Sequence, residues 1–348
     1  MATTDKRLDI SELDFDDIKT NLKTFLRNQT EFTDYDFEGS GMSSLLDLLS
    51  YNTHYLSMNA NLLANEMFID TASLRSSGVS HAKTLGYTPR SVRAPQATVD
   101  ITLNDTSVTT ATLARGTKFS TVVNDVTYNF LVNTARTKSR VDNVLTFDNV
   151  VLYEGSLITT RYTADSTNVD QRFIIPDSNA DTTTLTVSVQ NSSTDTTTTV
   201  FTLATDISQV SDTSNSYFLQ EIENGQFEVY FGDGVIGKAL TDNNIVILEY
   251  IVTNKSASNG ASTFTPPGSI SGSSDNSVAT VSTASGGAEA ENIQSIKLNA
   301  PLDYASQGRA VTTNDFKVIV PTLFANTQSV SVWGGEDNDP ASYGKVFI

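Results

Sequence analysis

Residues 231–240, FGDGVIGKAL, contain a glycine spacing associated with nucleotide binding. Gly232, Gly234 and Gly237 follow the pattern G-x-G-x-x-G. In dinucleotide-binding folds these glycines let a strand-to-helix turn approach a pyrophosphate at the helix N-terminus. Here the loop is followed by KALTDNN and then IVILEYIVT, whose β-branched residues predict a strand. No crossover helix fits there, and Asp233 would repel a diphosphate. We predict a structural turn at Gly232, Asp233, Gly234 and Gly237, without a nucleotide or other cofactor.

The histidines and acidic residues do not form a recognised metal-binding or catalytic pattern. The sequence has two histidines, His54 and His81, and no ligating side chain lies three or four residues from His54. No G-x-S-x-G elbow occurs. Glu336, Asp337 and Asp339 cluster in GGEDNDP, but without the alternating spacing of a calcium loop, which predicts a solvated turn. We predict no catalytic residues, no metal and no enzyme activity, although a carboxylate pair could lie unnoticed among 40 acidic residues.

The composition predicts a soluble, acidic protein made in a cytoplasm. The 348 residues carry 22 basic and 40 acidic side chains, for a net charge of −18. Such a field repels phosphate backbones and anionic lipid, so we expect neither nucleic acid nor membrane as a partner. The absence of cysteine excludes disulfides, thiolate catalysis and cysteine-ligated zinc. The acidic N-terminus lacks the apolar region of a signal peptide.

Apolar residues recur at helical spacing over residues 11–90 and predict three helices. In the first, Ile18, Leu22, Phe25 and Leu26 form one stripe. The second spans residues 41–68 and would be roughly 40 Å long. The third runs from about Thr71 to Leu85 and is stopped by Gly86.

The apolar stripe of the second helix is longer than the thin core of three helices can bury. Asparagines interrupt it, and a buried asparagine in a helical seam often sets register and oligomeric state. A self-contained bundle remains one interpretation. We favour a bundle completed by other chains, with an interface formed by Leu48, Asn52, Tyr55, Leu56, Asn59, Leu62 and Leu63.

After Pro95 the apolar period changes to two, which predicts short antiparallel strands. The tract QNSSTDTTTTV is expected to be a hairpin loop, and helices return at AEAENIQSIKLNAP, with a stop at Pro301, and at TTNDFKVIVPTL. The predicted fold class is a multidomain α+β protein. Its domains are a helical inter-subunit region (1–92), an antiparallel β-rich sandwich or barrel (93–256), a Ser/Gly/Pro-rich linker or loop (257–287), and the start of a C-terminal α+β domain that is incomplete (288–348).

Four segments share residues with a known family: 32–91, LARGTKFST at 113–121, the glycine loop at 231–240, and 286–316. Together they resemble the baseplate wedge proteins of T-even-type contractile-tailed phages, within the wider baseplate J-like family. The last segment resembles the J-like motif, a Gly-Gly turn, a helix, an Ala-Pro break, Arg-Ala-Val-Thr and an acidic-aromatic pair. The matching positions are Gly286, Gly287, Pro301, Arg309, Ala310, Val311, Thr312, Asp315 and Phe316. Family members usually continue past the GKVFI region, so the chain resembles a shorter version.

The resemblance implies a structural role in the tail baseplate of a virion that is assembled in the host cytoplasm. Each wedge would hold two copies, joined to each other and to other wedge proteins. The copies would form a ring around the central hub, and its rearrangement would accompany sheath contraction. The implied partners are the chain itself, as a homodimer within each wedge and between wedges, and other wedge proteins. A sheath-initiator-like small wedge protein and the tail hub are further candidates.

A receptor-binding or carbohydrate-active tail component is the alternative. A catalytic role needs an acid pair or a nucleophile in a cleft, and receptor binding needs exposed aromatic residues on β-loops. Trp333, the only tryptophan, lies outside the predicted β domain.

Overall fold

The chain divides into a helical unit, Met1–Thr84, and a β-rich unit, Leu85–Ile348. The structure is a computed structural model. It describes residues 14–29, 31, 39–105, 107–141, 145–168, 170–205, 207–323, 327 and 329–348. The part of the resemblance at 32–38 lies outside the described residues.

Three helices form the described part of the first unit. They are α1 (Phe15–Arg27), α2 (Gly41–Glu66) and α3 (Arg75–Thr84). Side-chain caps begin the first two: Asp14 Oδ1 accepts from the Asp16 amide at 2.8 Å, and Ser40 Oγ accepts from the Ser43 amide at 3.0 Å. Such caps satisfy backbone donors that have no partner within the helix.

α3 begins four residues later than the sequence predicts. Glu66 at the end of α2 explains the difference, because its carboxylate accepts from the Ser73 amide at 2.7 Å and from the Leu74 amide at 3.2 Å. Thr71 Oγ1 donates to the Asn65 carbonyl at 2.6 Å. The connection is therefore held as a turn. After α3, Gly86 has the left-handed φ of +80° expected of a helix stop.

Strands dominate the second unit. In the described residues they are β1 (Gln96–Leu103), β2 (Thr110–Leu113), β3 (Lys118–Val123), β4 (Val126–Val132), β5 (Arg136–Ser139), β6 (Leu145–Glu154), β7 (Ser156–Thr163), β8 (Phe173–Ile175), β9 (Ala180–Gln190), β10 (Thr198–Leu203), β11 (Ser216–Glu221), β12 (Phe227–Phe231), β13 (Ile245–Val252), β14 (Asn276–Ser285), β15 (Trp333–Gly334) and β16 (Val346–Phe347). Two helices follow β14: α4 (Ile293–Ser306) and α5 (Thr313–Leu323).

The strands form two main sheets with separate apolar cores. The first has the order β14-β1-β6-β4-β3 and the second the order β7-β13-β9-β10-β11-β12-β8. All pairs in them are antiparallel except β10 with β11. Alternate residues of β1 are buried, which is the pattern of a strand with one face on a core. The predicted α+β fold class is confirmed, and residues 191–197 of QNSSTDTTTTV form the predicted hairpin loop between β9 and β10.

The second half of the predicted linker, 257–287, is a strand instead. β14 pairs antiparallel with β1, with Ile101 opposite Val278. The first half also packs inward, because Phe264 is buried against Phe130 with 5.0 Å between the ring centroids. The Ser/Gly/Pro-rich residues before β14 suggested a linker, but β14 itself holds mostly Ser, Thr, Ala and Val residues. They form a strand because β1 supplies the backbone partners.

α4 passes through Pro301, where the sequence predicts a stop. Proline removes one N–H donor from a helix but does not prevent its continuation when packing holds both sides. Here Ile296 and Ala300 before the proline and Ser306 after it are all buried. The helix ends at Gln307, which has a left-handed φ of +48°.

Candidate subunit interface on the helical unit

Helix α2 has two opposite faces whose polarity is reversed from that of an ordinary surface helix. Successive residues are rotated by about 100° in an α-helix. The buried residues of α2, Ser43, Leu46, Ser50, Asn61 and Asn65, therefore lie on one side. Four of these five side chains are polar. A helix on a globular core normally buries its apolar stripe.

The opposite side carries large apolar residues in contact with solvent. Leu48 is 63% exposed, Leu56 61% and Leu63 69%. The seven residues predicted to form the interface are all exposed: Leu48, Asn52, Tyr55, Leu56, Asn59, Leu62 and Leu63. The structure thus brings them together on one outward face of α2, which we call the outward face.

Neighbouring apolar residues widen this face beyond the residues that the sequence pattern selected. Tyr51, Met58 and Met67 are also exposed. Tyr51 and Met58 lie three residues after Leu48 and Tyr55, and Met67 lies four residues after Leu63, so the same spacing could have found them.

The buried polar face is only partly satisfied among the described residues, because Ser50 Oγ is buried without a hydrogen-bond partner. Asn65 Nδ2 donates to the Asn61 carbonyl at 2.7 Å. Lys19 of α1 forms an ion pair of 2.5 Å with Asp47 of α2. The ion pair therefore joins α1 to α2, and most of the large apolar residues of α2 remain outside.

Two tyrosines on the outward face form a pair. Tyr51 Oη donates to Tyr55 Oη at 3.1 Å, and the rings meet edge to face with centroids 4.7 Å apart. The hydrogen bond to Tyr55 raises the pKa of the Tyr51 phenol. Such a pair has little side-chain freedom to lose when a partner covers it.

The glycine loop is a turn between two strands. β12 ends at Phe231, β13 begins at Ile245, and no helix lies between them. Asp233 Oδ1 accepts from the amides of Val235 at 2.9 Å and Ile236 at 3.0 Å. Gly234 and Gly237 have φ values of +87° and +85°, and the Gly234 amide donates to the Gly237 carbonyl at 3.0 Å. The amides needed to bind a phosphate are used within the turn.

His81 and the acidic cluster each make local contacts. His81 Nε2 contacts the Glu66 carbonyl at 2.9 Å. Glu336 and Asp337 lie in a single helical turn after β15, beside Trp333, whose indole donates to Asn338 at 2.9 Å. Within the described ranges no group of three or more metal-ligating side chains comes together, and no helix there is long and apolar enough to cross a membrane.

The residues of the J-like motif lie in a turn, in α4, in the connection between α4 and α5, and in α5. Gly286 has a φ of +84°, and a Cβ on Gly287 would lie 2.5 Å from the Lys255 carbonyl oxygen. Thr312 and Asp315 form a reciprocal cap at the start of α5: Thr312 Oγ1 accepts from the Asp315 amide at 3.3 Å, and Asp315 accepts from the Thr312 amide at 2.8 Å.

Two families match separate parts of the chain. The family "Baseplate wedge protein gp6-like, helical domain" matches residues 14–87, which include the outward face of α2. The family "Baseplate structural protein gp6, C-terminal domain I" matches residues 312–348. Baseplate wedge protein gp6 of Enterobacteria phage T4 is 30% identical over 361 aligned positions. That alignment covers 96% of this chain.

The chain is similar to gp6-like baseplate wedge proteins.

The phage T4 relative is longer than the region that this chain matches. The alignment covers 53% of the phage T4 protein, so this chain spans about half the length of the curated relative that it matches. The gp6-like helical match contains all seven predicted interface residues. Neither family model covers the glycine loop or the two main sheets. Those parts are matched only by the alignment with the phage T4 protein.

Proposed function

We propose that this gp6-like chain is a structural subunit of the tail baseplate wedge, and that the outward face of α2 binds other subunits. The carrying observation is the reversed polarity of α2, with most of its leucines outside and four polar residues among the five that are buried. A large contiguous apolar surface on a soluble protein marks an interaction site. The family match over residues 14–87 supports this role.

Burial of the outward face supplies the driving force for association. Each large apolar side chain transferred from water into an interface contributes about 1.5–3 kcal/mol. Leu48, Leu56 and Leu63 are each more than half exposed, so most of that free energy is available to a partner. Asn52 and Asn59 lie on the same face and would pair across chains, which fixes the register of the helices.

The proposed partners follow from the family. They are a second copy of the chain, within a wedge and between wedges, other wedge proteins, a sheath-initiator-like small wedge protein and the tail hub. The proposed location is the virion tail baseplate after assembly in the host cytoplasm. There the copies form a ring around the hub that rearranges when the sheath contracts. The role is structural rather than enzymatic, and the name of the phage T4 relative supports this.

Charge substitutions on the outward face test the proposal. Leu56→Asp with Leu63→Asp is expected to abolish co-purification with wedge proteins and to leave the β-rich unit folded. The matched control is Val122→Asp with Val126→Asp, at two exposed positions of the β3–β4 hairpin. Normal baseplate yield with the α2 double variant would show that this face is not an interface.

A further inference from the structure

A pocket of about 170 Å³ opens beside the glycine loop in the second sheet. Phe173, Phe231 and Leu240 form its apolar floor. The two rings meet edge to face with centroids 5.6 Å apart, so the floor is continuous with the core of that sheet. A cavity of about 150 Å³ holds a benzene ring. This pocket is therefore large enough for one branched aliphatic side chain.

Carboxylates line the mouth of the pocket. Asp165 and Asp233 both border it. Hydrogen bonds from the side chain and amide of Thr167 lower the pKa of Asp165. The amides of Ile236 and Val235 lower the pKa of Asp233. Both groups are consequently anionic at neutral pH and lie above an apolar floor.

The pocket walls are held in place without a ligand. Gln171 Oε1 accepts from the Asp165 amide at 3.0 Å and so closes one loop. The Gly237 amide donates to the Ser211 carbonyl at 3.1 Å and fixes the other. A pre-formed pocket costs little ordering entropy when it is filled. The same glycine loop also presents Val235, which is 73% exposed, to a partner.

We propose that this pocket binds a protein segment that presents one aliphatic side chain between basic residues. The apolar floor selects the aliphatic group, and the anionic mouth selects lysine or arginine on either side of it. The same charges disfavour phosphate, nucleic acid and acidic peptides. They also disfavour a second copy of this chain, whose net charge is −18. The partner of the pocket is therefore a different protein and not a second copy of this chain.

Short peptides binding to the full chain test this chemistry. The probe is the peptide acetyl-Lys-Leu-Lys-amide, observed by saturation-transfer difference NMR. The controls are acetyl-Glu-Leu-Glu-amide, which reverses the charge, and acetyl-Lys-Ser-Lys-amide, which removes the aliphatic group. The leucine methyl signal of the probe is expected to exceed that of the acidic peptide by about threefold or more, and to fall when salt rises from about 0.05 to 0.5 M.

Two variants locate the binding. Ala239→Trp places a large side chain on the pocket lining and is expected to abolish the probe signal. Asp165→Asn keeps an acceptor oxygen for Thr167 but removes the charge, and is expected to reduce the signal about twofold or more. If Ala239→Trp does not fold, Asp165→Asn decides. The proposal would be overturned if the probe gave no signal or if the acetyl methyl signals of the three peptides were equal. An unchanged probe signal in the folded variants would also overturn it.

Discussion

Arg115 Nη1 donates to Glu249 Oε2 at 2.9 Å and joins the two β-sheets. Arg115 lies between β2 and β3, next to the first sheet, whereas Glu249 lies in β13 of the second. Nη2 of Arg115 also donates to Asn133 Oδ1 at 3.0 Å and to the Thr184 carbonyl of β9 at 3.1 Å. Burial lowers the pKa of Arg115, and the charge of Glu249 partly compensates. One guanidinium thus ties a loop to two strands of the neighbouring sheet.

Replacing Arg115 should weaken the β-rich unit. Arg115→Met removes charge-assisted hydrogen bonds and leaves Glu249 without this cation, so we expect a loss of about 1–3 kcal/mol in the free energy of unfolding. The measurement is urea unfolding followed by circular dichroism. Arg161→Met, at an exposed position of β7, is the control and should change stability by less than about 0.5 kcal/mol. Equal effects of the two substitutions would remove Arg115 from this role.

The cost of substituting a glycine should depend on its φ and on the space available for a Cβ atom. A Cβ on Gly232 would lie 2.2 Å from the Ile236 carbonyl oxygen, so Gly232→Ala must distort the turn. Gly234→Val is strained by about 1 kcal/mol or more because its φ is +87°. Gly268→Ala, with open space around the added carbon, should be neutral. Thermal unfolding compares the three, and titration with NAD or ATP should give no saturable signal for the parent chain.

The boundary of the β-rich region can be tested with fragments. Residues 93–256 lack β14 and the buried side chains of Ala261, Phe264 and Ile270. That fragment should unfold at lower temperature than residues 85–290, because β1 loses a hydrogen-bonded neighbour and the first core loses apolar contacts. Differential scanning calorimetry of both gives the comparison. A fragment 93–256 as stable as the longer one would mean that β14 adds nothing to this core.

Glu291 should make stability depend on acid pH. It is buried and accepts from Tyr87 Oη at 2.8 Å, the Arg90 amide at 3.0 Å and Asn299 Nδ2 at 2.8 Å. Burial by itself would raise the pKa of Glu291, but hydrogen bonds, first that from Ser295, outweigh it and hold the pKa below the ordinary 4.5. The stabilisation is therefore present above pH 4.5 and is lost as pH falls through the lowered pKa.

The matched substitution for this effect is Glu291→Gln. At pH 7 it should cost about 1.5–3 kcal/mol, because one amide oxygen replaces a charged group with several donors. The difference from the parent chain should narrow as pH falls through the lowered pKa of Glu291, since the parent then loses its carboxylate. Chemical unfolding at several pH values measures both. A difference that stays constant with pH would show that ionisation of Glu291 does not stabilise the fold.

Periodicity in the sequence predicted much of the fold for a physical reason. Apolar residues at steps of three and four, or of two, determine which side of a helix or strand can be buried. α2 and most strands of the two sheets follow these periods. α5 was also predicted from TTNDFKVIVPTL, and its capping box of Thr312 and Asp315 depends only on local spacing.

Long-range contacts explain where the sequence was insufficient. β14 is a strand because β1 lies beside it, and α4 continues past Pro301 because buried residues hold both sides. Neither partner is visible in the local sequence. The candidate interface was predicted from the stripe on α2. The polar residues behind it, such as Ser50 and Asn61, became evident only when the structure showed them buried.

The outward face of α2 can be examined directly because the chain has no cysteine. Leu56→Cys introduces a single thiol at a position that is 61% exposed, and Ser50→Cys introduces one on the buried side of the same helix. The measurement is the rate of maleimide labelling in the isolated chain and in assembled baseplates. We predict that Cys at position 56 reacts rapidly in the isolated chain and is protected in baseplates, while the thiol at position 50 is unreactive in both. Rapid labelling at position 56 in assembled baseplates would contradict the proposed interface.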